Sequence, residues 1–458
     1  MPRRMPRDER LVLTIAVLAS FVSFLDGSVV TVALPAIRDD LGGGLTTQQW
    51  VVDAYLITLG ALILVAGSLS DVFGRIRVLR WGLVLFAVTS IAIAAAPTPS
   101  FLIVARALQG VAGALLVPSS LALITSTFRG PAQARAIGTW TAATTGAMVV
   151  GPVVGGLSVD LLSWRLVFLI NVVPIAVTLG LLVALRRADV RTPGRTVDVS
   201  GALLCTVGLG GMVFALIEQP NLGWSSPVIW AAGAVGVVSF AGFLVRQATA
   251  ADPMMPLDLF RARNFWAGNL TTAFVYAALT LNGFVVGVYL QQGAGLSATL
   301  AGLATLPITI LMILFSARVG SLAGRWGPRL FMTLGPLVMA VGGLLLLSVD
   351  DPFDYATQVL PGVIVFGAGL TLTVSPLTSA ILGAIDTSRS GIASAVNNAI
   401  SRVAGLVVIA MLATIVGGAL DLDGFHRAAV VTAALLAVGA AVSFLGIRND
   451  VTSRSDVG

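Results

Sequence analysis

An all-α membrane protein built from two related halves is the fold class this sequence predicts, and three observations predict it. First, 57% of the 458 residues are hydrophobic and only 10% are charged, with a mean hydropathy of +0.97. So few charges cannot cover a water-soluble domain, so the solvent for most of the chain is lipid. Second, the apolar residues fall into runs of 17 or more, long enough to cross a hydrocarbon core as helices. Third, the stretch Gly67-Ser68-Leu69-Ser70-Asp71-Val72-Phe73-Gly74-Arg75 has an echo in Gly320-Ser321-Leu322-Ala323-Gly324-Arg325-Trp326-Gly327-Pro328-Arg329, at an offset of 253 residues (320 − 67). A helix-loop-helix used twice points to a duplicated bundle, the construction of secondary transporters with a solute path between halves.

The runs give fourteen spans. Span 1 (11–35) follows a tail with four arginines, carries Asp26, and is too long for a signal-peptide core, so it is expected to be retained. Span 2 (50–70) carries Asp53 near its start and ends in the first copy of the repeated loop. Span 3 is 79–96, span 4 (101–127) carries Arg106, span 5 (137–158) carries Gly151-Pro152, and span 6 (164–185) opens on Trp164-Arg165. Spans 7 and 8 are 199–217 and 227–245, followed by the longest loop, 246–264, with Asp252-Pro253 and Met255-Pro256. Span 9 (265–290) holds Asn269, Tyr276 and Asn282; spans 10, 11 and 12 are 298–317, 330–348 and 357–383. Span 13 (391–419) holds Asn397, Asn398 and Arg402, and span 14 is 427–447.

All 27 basic residues are arginines, and their placement orients the spans. With the N-terminus inside, 22 fall on the cytoplasmic side, among them Arg186, Arg187, Arg191 and Arg195. Only Arg38, Arg165 and Arg427 fall outside, while Arg106 and Arg402 lie within spans. That is the positive-inside bias, and it puts both termini in the cytoplasm. The +6 net charge is spread over loops, which fits anionic lipid and argues against nucleic acid. One cysteine, Cys205, and one histidine, His426, leave no thiol metal site and little scope for His-based catalysis. The chain therefore reads as a non-enzyme without metal or cofactor. The two copies of the loop follow spans 2 and 10, eight spans apart, where a six-plus-six protein would separate them by six. Two helices are inserted, most simply spans 7 and 8. The expected division is an N-terminal six-helix bundle (1–190), an inserted pair (191–250) and a C-terminal six-helix bundle (251–458).

Four patterns carry the chemistry. They are Leu25-Asp26-Gly27-Ser28-Val29-Val30-Thr31-Val32-Ala33-Leu34-Pro35 in span 1, the loop 67–79, Leu102-Ile103-Val104-Ala105-Arg106-Ala107-Leu108-Gln109-Gly110 in span 4, and Gly138 with Gly151-Pro152-Val153-Val154-Gly155-Gly156 in span 5. In this order, with Trp164-Arg165 and Asn171 at span 6, they resemble the signature motifs of the major facilitator superfamily, and within it the fourteen-span drug:proton antiporters of the EmrB/QacA type. The resemblance covers nearly the whole chain. It implies that Asp26 and Arg106 take part in proton coupling, that the loop locks an outward-facing state, and that the span 5 pattern marks exporters. Val72 and Ile76 depart from the often basic family positions, which implies a weaker charge network in the loop, and Ala147 stands where a glycine is common.

The residues themselves support more than one role. A carboxylate inside a span costs about 2.5–3.5 kcal/mol on insertion scales, so Asp26 needs a partner or a purpose. Asp26 and Arg106 sit about 13 and 8 Å below the outer end of their spans at 1.5 Å per residue; they read as a coupling pair or as a static ion pair. Asp53 lies about three residues from its outer end, so it is either an auxiliary proton or cation site or a solvated helix end. Gly67, Asp71, Gly74, Arg75 and Arg77 form a cytoplasmic gate or a plain topogenic loop; Asp71 could pair with Arg75 or Arg77, or accept from the start of another helix. Gly151, Pro152, Gly155 and Gly156 make a kinked, closely packed helix in either case. Substrate contacts are expected among Phe24, Tyr55, Gln109, Trp140, Asn269, Tyr276, Asn282, Asn398 and Arg402, with Phe21, Phe274 and Phe284 available for an apolar wall. The function expected is proton-coupled export of apolar or amphipathic small molecules by a monomer in a bacterial cytoplasmic membrane, with cationic cargo an option that Asp26 or Asp53 would serve. Export of one metabolite or lipid, and passive facilitation, stand as alternatives.

Overall fold

A computed structural model describes residues 6–185, 189, 197–386 and 389–449. Arg186, Arg187, Arg191 and Arg195 lie outside the described residues. The first half contributes α1 (Arg7–Leu41), α2 (Gly44–Phe73), α3 (Arg75–Ala94), α4 (Pro99–Thr127), α5 (Gly130–Leu161), α6 (Leu166–Leu169) and α7 (Val172–Ala184). The pair expected to be inserted comprises α8 (Val199–Leu222) and α9 (Pro227–Thr249), which fall in the same compact unit as the first seven helices. The second half contributes α10 (Arg263–Gln292), α11 (Ala298–Ala304), α12 (Leu306–Trp326), α13 (Pro328–Leu345), α14 (Leu360–Gly383), α15 (Ser390–Ala410), α16 (Leu412–Val416) and α17 (Leu422–Gly446). Among the described residues, thirteen helical spans are long and apolar enough to cross a bilayer. The 32-residue α5, apolar over Val150–Leu161, is a fourteenth membrane-length helix. Spans 6 and 10 are each broken in two: α6 gives way to α7 at Ile170 and Asn171, and α11 to α12 at Thr305.

Two compact units emerge. Unit 1 comprises residues 1–255, 286–303 and 409–419; unit 2 comprises 256–285, 304–408 and 420–458. Unit 1 therefore includes the last turns of α10, most of α11, and the α15–α16 junction. Three polar ties hold these segments to the first half. Asp160 at the end of α5 accepts from the backbone N–H groups of Ala298 (3.0 Å) and Thr299 (2.8 Å) at the start of α11. Gln291 donates to the Val32 carbonyl of α1 at 3.2 Å. Gln49 of α2 donates to the carbonyls of Ile409 (2.6 Å) and Ala410 (3.3 Å). The core of unit 2 joins α10, α13, α14 and α17 through Val275, Ala278, Met339, Phe366, Leu370 and Leu436.

The repeat has a structural counterpart on each side. Gly74 and Gly327 take φ of 101° and 84°, a left-handed turn that costs glycine no side-chain clash. Each turn starts a helix whose first N–H groups need acceptors. In unit 1, Asp189, just beyond α7, accepts from Ile76 N (3.0 Å) and Arg77 N (3.0 Å). In unit 2, Asn449, just beyond α17, accepts from Arg329 N (3.0 Å), and Arg329 is the counterpart of Ile76 at the same 253-residue offset. The final helix of each half thus caps the third.

The inserted helices pack on each other with backbones close at Gly211 and Gly236. One end is tied by Asp198, which accepts from Gly201 N (2.9 Å), Gln247 (3.0 Å) and Arg246 (3.1 Å). Burial works to raise the Asp198 pKa, but these hydrogen bonds and one from Ser200 outweigh it and hold the carboxyl below the usual range. Near the other end, Glu218 of α8 accepts from the Trp50 indole of α2 at 2.7 Å.

Candidate functional site

The most concentrated polar chemistry lies inside unit 1. Asp26 projects from the middle of α1 and is fully buried; Arg106 of α4 is 2% exposed. They form an ion pair of 2.7 Å between Nη1 and Oδ2. The same Nη1 donates to Gln109 Oε1 at 2.6 Å, and Arg106 Nε donates to the Val51 carbonyl at 3.0 Å. The other carboxylate oxygen of Asp26 accepts from Gln109 Nε2 (3.3 Å) and Asn171 Nδ2 (3.1 Å). Gln109 also donates to Ser90 of α3 at 3.0 Å. The guanidinium stacks 4.3 Å from the Tyr55 ring centroid and 5.8 Å from that of Phe168. Four hydrogen bonds, an ion pair and an aromatic face thus compensate two charges removed from water, the condition under which such burial is tolerated.

The local sequence makes this possible. Asn171 sits where span 6 breaks between α6 and α7, so a side chain normally lateral to a helix is turned toward α1. Gln109 lies one turn after Arg106 and so shares its face. Gln109, expected among substrate contacts, bridges this network. Asn171 belongs to the family pattern at span 6, whereas nothing in the sequence marks Ser90, since a serine in a span is more often a packing contact.

Asp53 needs a correction. The α2 helix begins at Gly44, so Asp53 lies nine residues inside it (53 − 44) rather than three. It is fully buried, and neither carboxylate oxygen has a hydrogen-bond partner, which removes the solvated-end reading. In the loop after α2, Asp71 and Arg75 are 3.5 Å apart, and Arg75 also donates to the Ala122 carbonyl at 3.1 Å. The helix start next to them, where Gly74 and Arg77 lie, is held by Asp189 rather than by Asp71. On α5, Gly151 and Gly155 back onto Ser28 and Val29 of α1. A Cβ on Gly156 would come within 2.5 Å of the Thr299 Cα of α11, and Gly302 similarly rests on Pro152. Gly67 lies in α2, one residue before Ser68, whose hydroxyl bonds back to Val65.

The remaining expected substrate residues divide between the units. In unit 1, Trp140 donates to Ser20 at 2.9 Å and meets Phe24 edge-on at 6.4 Å, while Tyr55 lies under Arg106. In unit 2, Asn397 donates to Asn269 (3.1 Å) and Thr272 (2.8 Å), making a neutral network between α10 and α15. Asn282 is 9% exposed on α10. Tyr276 is close enough to Arg402 to feel its charge. Asn398 precedes Arg402 by one turn on α15 and accepts through its carbonyl from Ser401 at 2.8 Å.

Two duplicated bundles with buried charges inside one of them define a polytopic membrane transporter. The model of the Major Facilitator Superfamily matches residues 16–409, and the chain belongs to that family. Among its relatives, the methylenomycin A resistance protein of Streptomyces coelicolor is 34% identical over 427 residues, 92% of this chain and 88% of the relative. The tetracenomycin C resistance and export protein of Streptomyces glaucescens is 33% identical, covering 85% of this chain and 72% of the relative. A crystal structure of an auto-inhibited POT family peptide transporter shares the fold, with a TM-score of 0.71 at 15% identity over 97% of this chain and 98% of that one.

Proposed function

We propose that the protein is a proton-coupled exporter of apolar or amphipathic small molecules, working by alternating access in a bacterial cytoplasmic membrane with both termini inside. The observation that carries the proposal is the fully buried Asp26–Arg106 pair. An ionisable residue inside a bundle is expensive to insert and marks a pathway or relay. Export, rather than uptake, is supported by the relatives named for resistance and export.

Asp26 is the proton acceptor in this scheme. While ionised, it fixes Arg106, Gln109 and Asn171, and through them α1, α3, α4 and the α6–α7 break. Protonation removes the charge that Arg106 answers, so the guanidinium must find new acceptors and the four segments lose a common tie. Asp26 has no exposed surface here, so proton exchange waits on a rearrangement, as alternating access requires. With the arginine bias setting sides, the ties made by Asp160, Gln291 and Gln49, all within unit 1, belong to the outer ends of its helices. One proton crossing about 150 mV supplies roughly 3.5 kcal/mol. That supports a gradient of a few hundredfold in a neutral solute, at about 1.4 kcal/mol per tenfold.

Proteoliposomes under an imposed pH gradient test the scheme. Wild type concentrates a hydrophobic dye or antibiotic against its gradient, and Asp26→Asn does not. Cargo-driven proton release that survives Asp26→Asn overturns the assignment of the acceptor; cargo movement that ignores the gradient makes the protein a facilitator.

A further inference from the structure

A second polar site lies on α2, whose Val51 carbonyl and Tyr55 ring serve the Asp26 network while Gln49 and Asp53 take no part in it. On α2, Gln49 and Asp53 are four residues apart and therefore share a face, about 40° from each other around the axis at 3.6 residues per turn. Both are fully buried. The Gln49 amide is oriented: its Nε2 donates to the Ile409 and Ala410 carbonyls, and the reverse placement would set oxygen against oxygen. Its Oε1 is therefore turned elsewhere, and it has no hydrogen-bond partner. The two carboxylate oxygens of Asp53 have none either. Three buried acceptors lie within four residues of one helix without a hydrogen-bond partner, against the usual rule for buried polar atoms; the unpartnered Gln48 Nε2 is about 140° from Asp53 around the axis and so on another face. On the other flank, Trp50 lies about 60° from Asp53 and is tied to Glu218 of the inserted helix α8.

We infer that Gln49 and Asp53 hold a small monovalent cation, Na+ or hydronium, between α2, α8 and the α15–α16 junction. The donor set fixes the class. All three atoms are hard oxygens, and neither sulfur nor imidazole is among them, which excludes a soft transition metal. One carboxylate balances one positive charge, whereas Ca²⁺ takes six to eight oxygens, several of them from carboxylates. The amide that supplies Oε1 is held by the segment 409–419. When that segment leaves α2, Nε2 loses both acceptors and the third oxygen is no longer fixed. A bound cation therefore favours the docked arrangement, by the differential affinity any ligand needs to shift an equilibrium. The site rests on the transporter reading but not on Asp26 as its proton acceptor.

The test uses the purified full-length protein in detergent at constant ionic strength, with choline as the inert cation. At pH 8, NaCl raises the thermal unfolding temperature saturably and ²²Na+ binds with one site per chain. Asp53→Asn, an isosteric change, and Gln49→Met each weaken that binding at least about tenfold. Asp26→Asn leaves it within about twofold. If Na+ has no effect but acidification in choline stabilises wild type, and both variants lose that response, the occupant is hydronium. A response lost in Asp53→Asn but kept in Gln49→Met is plain protonation of one carboxyl and overturns the site. Identical unfolding in Na+, Li+ and choline at every pH, with Asp53→Asn no less stable, means that ordered water satisfies these oxygens and also overturns it. Proton-driven transport measured in choline medium reads the Asp26 scheme separately, so either reading can fail alone.

Discussion

Arg106→Met is the most informative single perturbation. The substitution keeps the length of the side chain and removes one guanidinium that makes three hydrogen bonds: to Asp26 at 2.7 Å, Gln109 at 2.6 Å and the Val51 carbonyl at 3.0 Å. Asp26 then remains buried with only Gln109 at 3.3 Å and Asn171 at 3.1 Å. Stranding one member of a buried pair costs about 3–5 kcal/mol. Asp26→Asn strands the opposite charge and is expected to cost a similar amount. Removing both charges leaves only the neutral bonds to replace, so the double variant costs less than the sum of the singles by at least about 3 kcal/mol. Equilibrium unfolding of the four proteins in mixed SDS micelles, followed by tryptophan fluorescence, closes the cycle. Additivity within about 0.5 kcal/mol, the behaviour of independent sites, refutes the pairing as an energetic unit. The same cycle bears on mechanism. Asp26→Asn resembles the protonated carboxyl, so its cost measures the energy that protonation makes available for rearrangement. None of the three variants concentrates cargo, whatever their stability.

Three further expectations follow from other parts of the molecule. Gly156→Val drives a branched side chain into the Thr299 backbone, so the α5–α11 contact opens; uphill export falls at least about tenfold, and cysteine labelling at introduced outer positions rises. Asp189→Ala and Asn449→Ala each remove a helix cap and lower stability by about 1 kcal/mol, read from the same SDS titration. Asp198 has a folded-state pKa below its ordinary value of 3.8. Its contribution is therefore fully present above that value and lost as pH falls through the folded pKa. Unfolding curves of Asp198→Asn should fall below wild type above pH ~5 and converge with it as pH drops through the lowered folded-state pKa.

Much of this was legible because lipid reads sequence coarsely. A run of 17 or more apolar residues has few fates, so the helices could be counted before any coordinates. Helix ends were less visible, since a helix continues past the hydrocarbon into headgroups and water. The α1 helix runs 35 residues where the apolar run suggested 25, and α2 starts six residues early, which is why Asp53 read as near water. Asp26 and Arg106 stood out because charges in spans are rare. Ser90 did not, because only the tertiary fold distinguishes a serine that meets Gln109 from one that bonds its own helix, as Thr89 does with the Leu85 carbonyl. Asp189 was invisible for the same reason, being 113 residues from the N–H it caps (189 − 76).

The duplication itself separates scaffold from engine. What both halves keep is backbone chemistry: a positive-φ glycine at 74 and 327, and an oxygen acceptor from beyond the last helix on the equivalent N–H groups of Ile76 and Arg329. That requirement does not depend on charge, and an aspartate serves one half while an asparagine serves the other. What the halves do not share is ionisable chemistry. Gly324 stands where Asp71 stands in the first copy, and the buried network of unit 2, Asn269–Asn397–Thr272, is neutral where that of unit 1 is an ion pair. A neutral network is cheaper to bury but has no state that a proton can change at physiological pH. The buried acid–base pair is therefore confined to the first half, and under the proposed function proton sensitivity arises there, while the second half sets Arg402 beside a neutral network.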